Sequence, residues 1–171
     1  MVIEGLGPKI LGILAKQLRS ASDAAEAFSL FAEDLWRGLP DFQWRCTLRA
    51  WAYRIARHAA VRWATAGERR PKRNLSLELA ESVRSSTLDH LRTEVKSEIR
   101  RLREELAEPD QMLLILRIDQ AMEWREIAAA LADDDLAGDA LERETARLRQ
   151  RFQFLTEKLR KLARERGLLD R

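Results

Sequence analysis

Aromatic and basic side chains alternate closely between residues 42 and 62. Aromatic rings can stack on bases that have left a duplex, and guanidinium groups can hold the phosphate backbone of the same strand. The segment therefore predicts binding to nucleic acid, with unpaired bases among its targets. Packing in a hydrophobic core is the alternative for Trp44 and Trp51, and for Trp51 it explains the sequence equally well.

No residue set of the sequence predicts catalysis. The two histidines, His58 and His90, have no cysteine or carboxylate cluster at metal-ligand spacing near them. No glycine-rich phosphate loop or nucleophile motif is present. The acidic run Asp133–Asp135 lacks the Gly and Glu of a calcium loop, so it predicts a turn that caps a helix. We therefore expect a protein that is not an enzyme and that needs no metal or cofactor.

Charge is distributed unevenly along the chain. Residues 45–73 carry nine basic side chains against one acidic one, and residues 142–166 carry nine against four. Two basic segments far apart in sequence indicate a bipartite binder of a polyanion, although solvated helix faces would give the same count. Binding of this kind weakens steeply as salt rises. One cysteine, no secretory leader and no apolar stretch of membrane-spanning length predict a cytoplasmic protein without membrane insertion.

Few strand-favouring residues and apolar stripes at helical spacing predict an all-α fold. The first lobe, residues 1–65, is predicted to hold helices from about Gly7 to Arg19, from an N-cap at Ser22 or Asp23 to about Leu39, and from about Thr47 to Thr65. Gly67, Pro71 and a Ser/Thr cluster break the periodicity over residues 66–93, which predicts a flexible linker.

The second lobe, residues 94–171, is predicted to contain a helix over Asp110–Ile118, a short helix that includes Glu126–Leu131, and a basic helix from about Leu141 to Arg166. A short helix, a turn and a basic helix are typical of a helix-turn-helix, here with a turn longer than the usual few residues. The second helix of such a unit lies in the major groove. Four of its side chains could reach base edges there: Arg147, Arg149, Gln150 and Gln153.

The run Thr47–Ala60, Thr-Leu-Arg-Ala-Trp-Ala-Tyr-Arg-Ile-Ala-Arg-His-Ala-Ala, resembles the promoter-melting helix of extracytoplasmic-function (ECF, group IV) sigma factors. Upstream, Asp23–Glu26 and Leu35–Pro40 resemble their acidic polymerase-binding helix in order and spacing. Downstream, Glu104–Pro109 and Glu126–Ala128 are similar to their C-terminal helix-turn-helix lobe. Ser29 and Leu30 depart from the usual Gln-Glu pair.

The resemblance implies a sigma factor that directs core RNA polymerase to promoters. Its first lobe, similar to sigma region 2, would bind the β′ clamp helices through Glu26, Ser29, Glu33 and Arg37. A loop of Gln43, Trp44 and Arg45 would capture non-template bases of the opened −10 element. The promoter strands would be contacted by Arg49, Tyr53, Arg54, Arg57, His58 and Arg62. The second lobe, similar to sigma region 4, would lie near the β flap and read the −35 duplex through Arg147, Arg149, Gln150 and Gln153.

Two other classes stay open. A helical adaptor or anti-sigma-type interaction protein would keep the fold without melting promoters, and a stand-alone helix-turn-helix regulator would bind duplex DNA without polymerase. Alanine at Arg49 and Arg54 would leave an adaptor's binding intact but impair a sigma factor. A helical anti-sigma partner could clamp the two lobes, although no feature of the sequence shows one.

Overall fold

The structure, a computed structural model, describes residues 2–67 and 98–168. Within these residues every regular element is a helix, so the predicted all-α class is confirmed. Contacts divide the chain into two compact units. The predicted linker, residues 66–93, lies outside the described residues apart from its first two positions, and its flexibility stays a prediction.

The first unit comprises the described residues of Met1–Ala80 together with Ala128–Gly138. Its three long helices are α1 (Val2–Leu18), α2 (Ala21–Gly38) and α3 (Leu48–Gly67), and each of them contacts the other two. Each helix turns one apolar face inward, as its periodicity predicts. The core is filled by residues that are at most 3% exposed, among them Ile10, Leu14, Ala24, Ala27, Phe31, Ala52, Ala56 and Ala59.

The junction between α1 and α2 differs from its prediction. Ser20, in an extended conformation, accepts a hydrogen bond on its hydroxyl from the backbone N–H of Asp23 at 3.2 Å. The N-cap is therefore Ser20, and the prediction of Ser22 or Asp23 was wrong. Arg19 has a φ of +52°, which ends α1 and lets the chain reverse within two residues. At its other end α1 begins at Val2, five residues before the predicted start.

A short connection between α2 and α3 positions several predicted binding residues. A single 3-10 turn, Leu39–Asp41, follows α2, and residues 42–47 lead to α3. Thr47 accepts a hydrogen bond from the backbone N–H of Ala50 at 3.2 Å, which stabilises the start of α3 where the sequence predicts it.

The second unit comprises the described residues of Glu81–Ile127 and Asp139–Arg171. Residues 98–104 are helical (α4), followed by α5 (Glu108–Leu114), which continues into a π-helical turn, Ile115–Asp119. Helix α6 (Trp124–Leu131) and helix α7 (Gly138–Glu165) are joined by six residues, 132–137. Side chains that are at most 4% exposed form the core: Leu102, Leu113, Leu114, Leu116, Met122, Ile127, Leu148 and Leu155.

Two aromatic rings pack α6 against α7 inside the second unit. The Trp124 ring meets the Phe152 ring edge-on, with centroids 5.3 Å apart. The Arg117 guanidinium lies 4.8 Å from the centre of the Trp124 ring and donates a hydrogen bond to the Met122 carbonyl at 2.7 Å. These contacts hold the π-helical turn, α6 and α7 together.

Candidate nucleic-acid interface

The connection between α2 and α3 presents an aromatic stack. Phe42 and Trp51 stack with centroids 4.6 Å apart and ring planes 28° apart, and Trp44 packs on the Phe42 ring at 4.9 Å. Trp51 is therefore partly a core residue, as the alternative reading of the sequence allowed. Trp44, at the outer end of the stack, is 75% exposed.

The backbone of Trp44 is held in an uncommon conformation. Its φ of +58° is in the left-handed region, which a bulky side chain seldom adopts. Such a conformation costs on the order of 1–3 kcal/mol and persists where surrounding contacts impose it. Packing on Phe42 supplies such a contact. The strained backbone thus holds an exposed ring, and an unpaired base needs an exposed ring to stack on.

Beside the stack is a cavity of about 320 Å³. Its lining combines aromatic, cationic and hydrogen-bonding groups: Gly38, Asp41, Phe42, Gln43, Arg45, Cys46, Trp51, Arg54 and Asp135. All of these residues belong to the first unit. Burial raises the pKa of the Cys46 thiol, which keeps it neutral. The volume is within the range of pockets that hold small ligands, and the lining suits a flat polar ring.

Gly38 is required for the cavity because a methyl group there would lie 2.9 Å from a ring carbon of Trp51. We expect Gly38→Ala to displace the stacked ring and to lower the free energy of unfolding by about 1–3 kcal/mol, the usual cost of overpacking. Gly12, in the interior of α1, has no described atom within 4 Å of such a methyl group. Gly12→Ala is the matched control, with an expected gain of up to about 1 kcal/mol. Urea unfolding measures both; a gain for both variants would contradict the assignment.

Helix α3 carries six of the predicted promoter contacts, and the structure buries them unequally. Tyr53 is 4% exposed, and burial raises the pKa of its phenol. The Arg54 side chain is 10% exposed, that of Arg57 21% and that of Arg62 53%. Arg49 and His58 are half-buried. Tyr53 therefore lies in the core of this structure, whereas the cations reach the surface to different degrees.

The cations of α3 have acidic partners within the first unit. Arg54 donates to Asp135 at 2.5 Å, and Arg57 donates to Asp133 at 2.7 Å. Arg62 pairs with Asp34 of α2. Burial and the neighbouring Arg57 charge lower the pKa of His58, while Asp133 lies 3.6 Å from its ring nitrogen. The Asp133 pKa is lowered by the Arg57 hydrogen bond.

The pairing of Asp133 and Asp135 was missed by sequence reasoning, which assigned the acidic run to a turn that caps a helix. The run does lie between α6 and α7, but two of its carboxylates bind α3. The sequence feature that pointed to this pairing was the opposite charge of the acidic run and the basic segment that forms α3. Charge alone could not choose these arginines over the many other basic residues of the chain.

The predicted polymerase-facing residues of α2 all lie on one exposed face: Glu26, Ser29, Glu33 and Arg37. Glu33 and Arg37 form an ion pair at 2.5 Å one helical turn apart. Trp36, beside them in sequence, is 76% exposed. An exposed tryptophan on a charged helix face is a common feature of protein interfaces, so this ring extends the predicted surface.

The four predicted base-reading residues of the second lobe are all exposed on α7: Arg147, Arg149, Gln150 and Gln153. Arg147 donates two hydrogen bonds to Glu144, at 2.8 and 2.9 Å. Phe154, 65% exposed, follows them. The side chains are available for a ligand, and the opposite side of α7 carries buried Thr145, Leu148 and Leu155.

Neither a metal cluster nor a membrane span is found in the described part of the chain. No group of three or more His, Cys, Asp or Glu side chains there could hold a metal ion. Among the described helices none has both the length and the apolar character that crossing a bilayer demands.

Residues 2–70 match the family model of sigma-70 region 2. The matched segment includes α1, α2 and α3 with the aromatic connection between them. No curated protein and no solved structure matches the chain. The chain is therefore similar to sigma-70 region 2 over 69 of its 171 residues.

Proposed function

We propose, from the similarity of residues 2–70 to sigma-70 region 2, that the protein is a sigma factor of the extracytoplasmic-function type. It binds core RNA polymerase and directs it to promoters, without catalysing a reaction itself. The observation that carries the proposal is the exposed Trp44, packed on Phe42 beside a cavity lined by Gln43 and Arg45.

In this proposal α2 binds the β′ clamp helices of the polymerase. Support comes from its charged and exposed face, Glu26 to Arg37, with the exposed ring of Trp36 at one edge of that face in the last turn of α2. A tryptophan beside such a face can add to the binding free energy once a partner covers it, while the neighbouring charges set orientation.

The opening of the −10 element is assigned to the connection between α2 and α3. A non-template base leaves the duplex, stacks on Trp44 or enters the neighbouring cavity, and exposes its polar edge to Gln43 and Arg45. The adjoining strand follows the cations of α3, from Arg49 to Arg62. Unstacking costs a few kcal/mol, and stacking on an aromatic side chain returns about 1–3 kcal/mol per base.

Reading of the −35 duplex is assigned to α7. Arg147, Arg149, Gln150 and Gln153 are exposed within two turns of a helix that follows α6 after six residues. Arginine and glutamine match the major-groove patterns of guanine and adenine with two hydrogen bonds each. Contact with the β flap and clamping by an anti-sigma factor are parts of the proposal that follow from the resemblance alone.

The test is transcription with purified bacterial core RNA polymerase on a pool of genomic fragments. We expect promoter-specific transcripts that core polymerase alone does not make. Promoters recovered from the pool should share an upstream element, and Arg149→Ala with Gln153→Ala should remove the dependence on it, at about 1–3 kcal/mol per base pair. Arg160→Ala, on a more distal turn of α7, is the control.

If the protein forms no complex with core polymerase where a known sigma factor does, the proposal fails. Duplex binding without polymerase would then favour a stand-alone helix-turn-helix regulator. Binding to a protein partner that survives Arg49→Ala would favour an adaptor.

A further inference from the structure

Residues Asp133–Asp135, called the acidic turn below, lie against α3 within the first unit. Asp135 binds Arg54 at 2.5 Å, and its other oxygen lies 4.0 Å from Arg45. Asp133 binds Arg57 at 2.7 Å, and the Ala132 carbonyl accepts a second hydrogen bond from Arg57 at 3.1 Å. The carboxylates of Asp133 and Asp135 thus bind two arginines that lie one helical turn apart on α3.

The two carboxylates offer α3 the same kind of acceptor as the phosphates of a DNA strand would. Phosphate oxygens and carboxylate oxygens are both anionic acceptors that bind guanidinium groups through charge-assisted hydrogen bonds. The N–H groups of Arg54 and Arg57 that bind Asp135 and Asp133 cannot bind a phosphate backbone at the same time. The acidic turn therefore occupies two of the cations that the proposed function assigns to the promoter.

The turn also narrows the base cavity. Asp135 contributes to the cavity lining beside Arg45 and Arg54. A strand that entered there would meet the carboxylate of Asp135, and its phosphates would be repelled by the like charge. One short segment thus acts on both parts of the interface, the cavity and the helix.

The contact between the acidic turn and α3 has features that allow it to dissociate. The Asp133 side chain is 83% exposed and that of Asp135 43% exposed. Ion pairs with such exposed carboxylates as Asp133 contribute little to stability and weaken with salt, so a polyanion with many phosphates can replace that pair. By contrast, Arg54 is 8% exposed, so another anion must take the place of Asp135 when that carboxylate leaves.

We propose that the acidic turn is an autoinhibitory mask: Asp133 and Asp135 take the place of DNA phosphates on Arg57 and Arg54 and weaken binding of single-stranded DNA by the free protein. The inference rests on the proposed function, since it assumes that α3 faces a promoter strand. It extends that function by making displacement of the turn a step that precedes strand capture.

The test compares three variants that each remove one negative charge from the turn: Asp133→Asn, Asp134→Asn and Asp135→Asn. Asp134 is exposed and makes no hydrogen bond or ion pair with the other described residues, so it is the matched control for net charge. The probe is a short fluorescein-labelled single-stranded DNA of mixed sequence, and fluorescence anisotropy at low salt gives the dissociation constant.

We expect Asp133→Asn and Asp135→Asn each to tighten binding by about 3- to 10-fold, the equivalent of one modest ion pair. Asp134→Asn should stay within about twofold of the wild type, because its charge is screened and makes no specific contact. Equal tightening by all three variants, or by none, would overturn the mask. If Asp135→Asn lowers the melting temperature, the comparison with Asp134→Asn rests on Asp133→Asn. In that variant Arg57 still donates its hydrogen bond to the Ala132 carbonyl.

Transcription with core polymerase separates this inference from the proposed function. Promoter-specific transcripts together with unchanged DNA binding by the variants would overturn the mask and leave the sigma factor standing. Absence of transcripts, with tighter binding by the two variants, would overturn the sigma factor and leave a masked binder of single-stranded DNA.

Discussion

Replacing Trp44 with alanine is expected to lower open-complex formation by about 10- to 100-fold, the value of one lost base stack. The ring is 75% exposed and packs on Phe42 alone among the aromatic contacts of the connection, so its loss removes a binding surface without opening the core. The left-handed φ of Trp44 would remain, and alanine tolerates it no worse than tryptophan does.

Permanganate footprinting of the melted strand and run-off transcription measure the effect. Trp44→Phe is the matched control, because phenylalanine keeps a flat ring at the end of the stack and should retain most of the activity. Binding to core polymerase should be the same for all three proteins. Full promoter opening by Trp44→Ala would contradict the assignment of this ring to base capture.

Trp124→Ala is expected to have the largest effect on stability, a loss of about 3 kcal/mol, the lower end of the range for aromatic-to-alanine changes in a core, because Trp124 is only partly buried. The substitution removes the edge-on contact with Phe152 at 5.3 Å and the Arg117 guanidinium contact at 4.8 Å. Both contacts join α6 to its neighbours in the second unit. The proposed −35 reading depends on α7 being held there.

Thermal unfolding by circular dichroism measures the loss, which should lower the melting temperature of the second unit by more than about 10 °C. Trp36→Ala deletes the same side chain from a helix surface where it is 76% exposed, and it should change stability by less than about 0.5 kcal/mol. Equal losses for the two variants would show that the Trp124 contacts contribute nothing specific.

The sequence by itself determined the helical class and the course of most helices. Apolar side chains repeat every three or four residues through α2 and α3, and only a helix brings such residues to one face. Helix α2 ends at Gly38, next to the predicted end at about Leu39, because the 3-10 turn that starts at Leu39 uses the fixed φ of Pro40. The similarity of Thr47–Ala60 to a promoter-melting helix was likewise readable without coordinates, and the family match covers it.

Local choices between equivalent residues lay beyond the sequence. Ser20, Ser22 and Asp23 can all cap a helix, and the left-handed φ of Arg19 selected Ser20. The connection between α6 and α7 was expected to be longer than it is, because Asp133–Asp135 and Gly138 are typical of turns and the last helix was predicted from about Leu141. In the structure α7 begins at Gly138, with Asp139 in its first turn.

Only the tertiary structure decided which charges and rings are available to a ligand. The pattern of α3 offers Tyr53, Arg54 and Arg57 alike as DNA contacts, but packing puts the first in the core and gives the other two acidic partners some 80 positions along the chain. The periodicity of apolar residues indicates which residues share a helix face. It does not indicate which distant segment of the chain packs on that face. Pairing between remote charges depends on the folded path of the chain, and for that reason Asp133 and Asp135 could be assigned to Arg57 and Arg54 only from the structure.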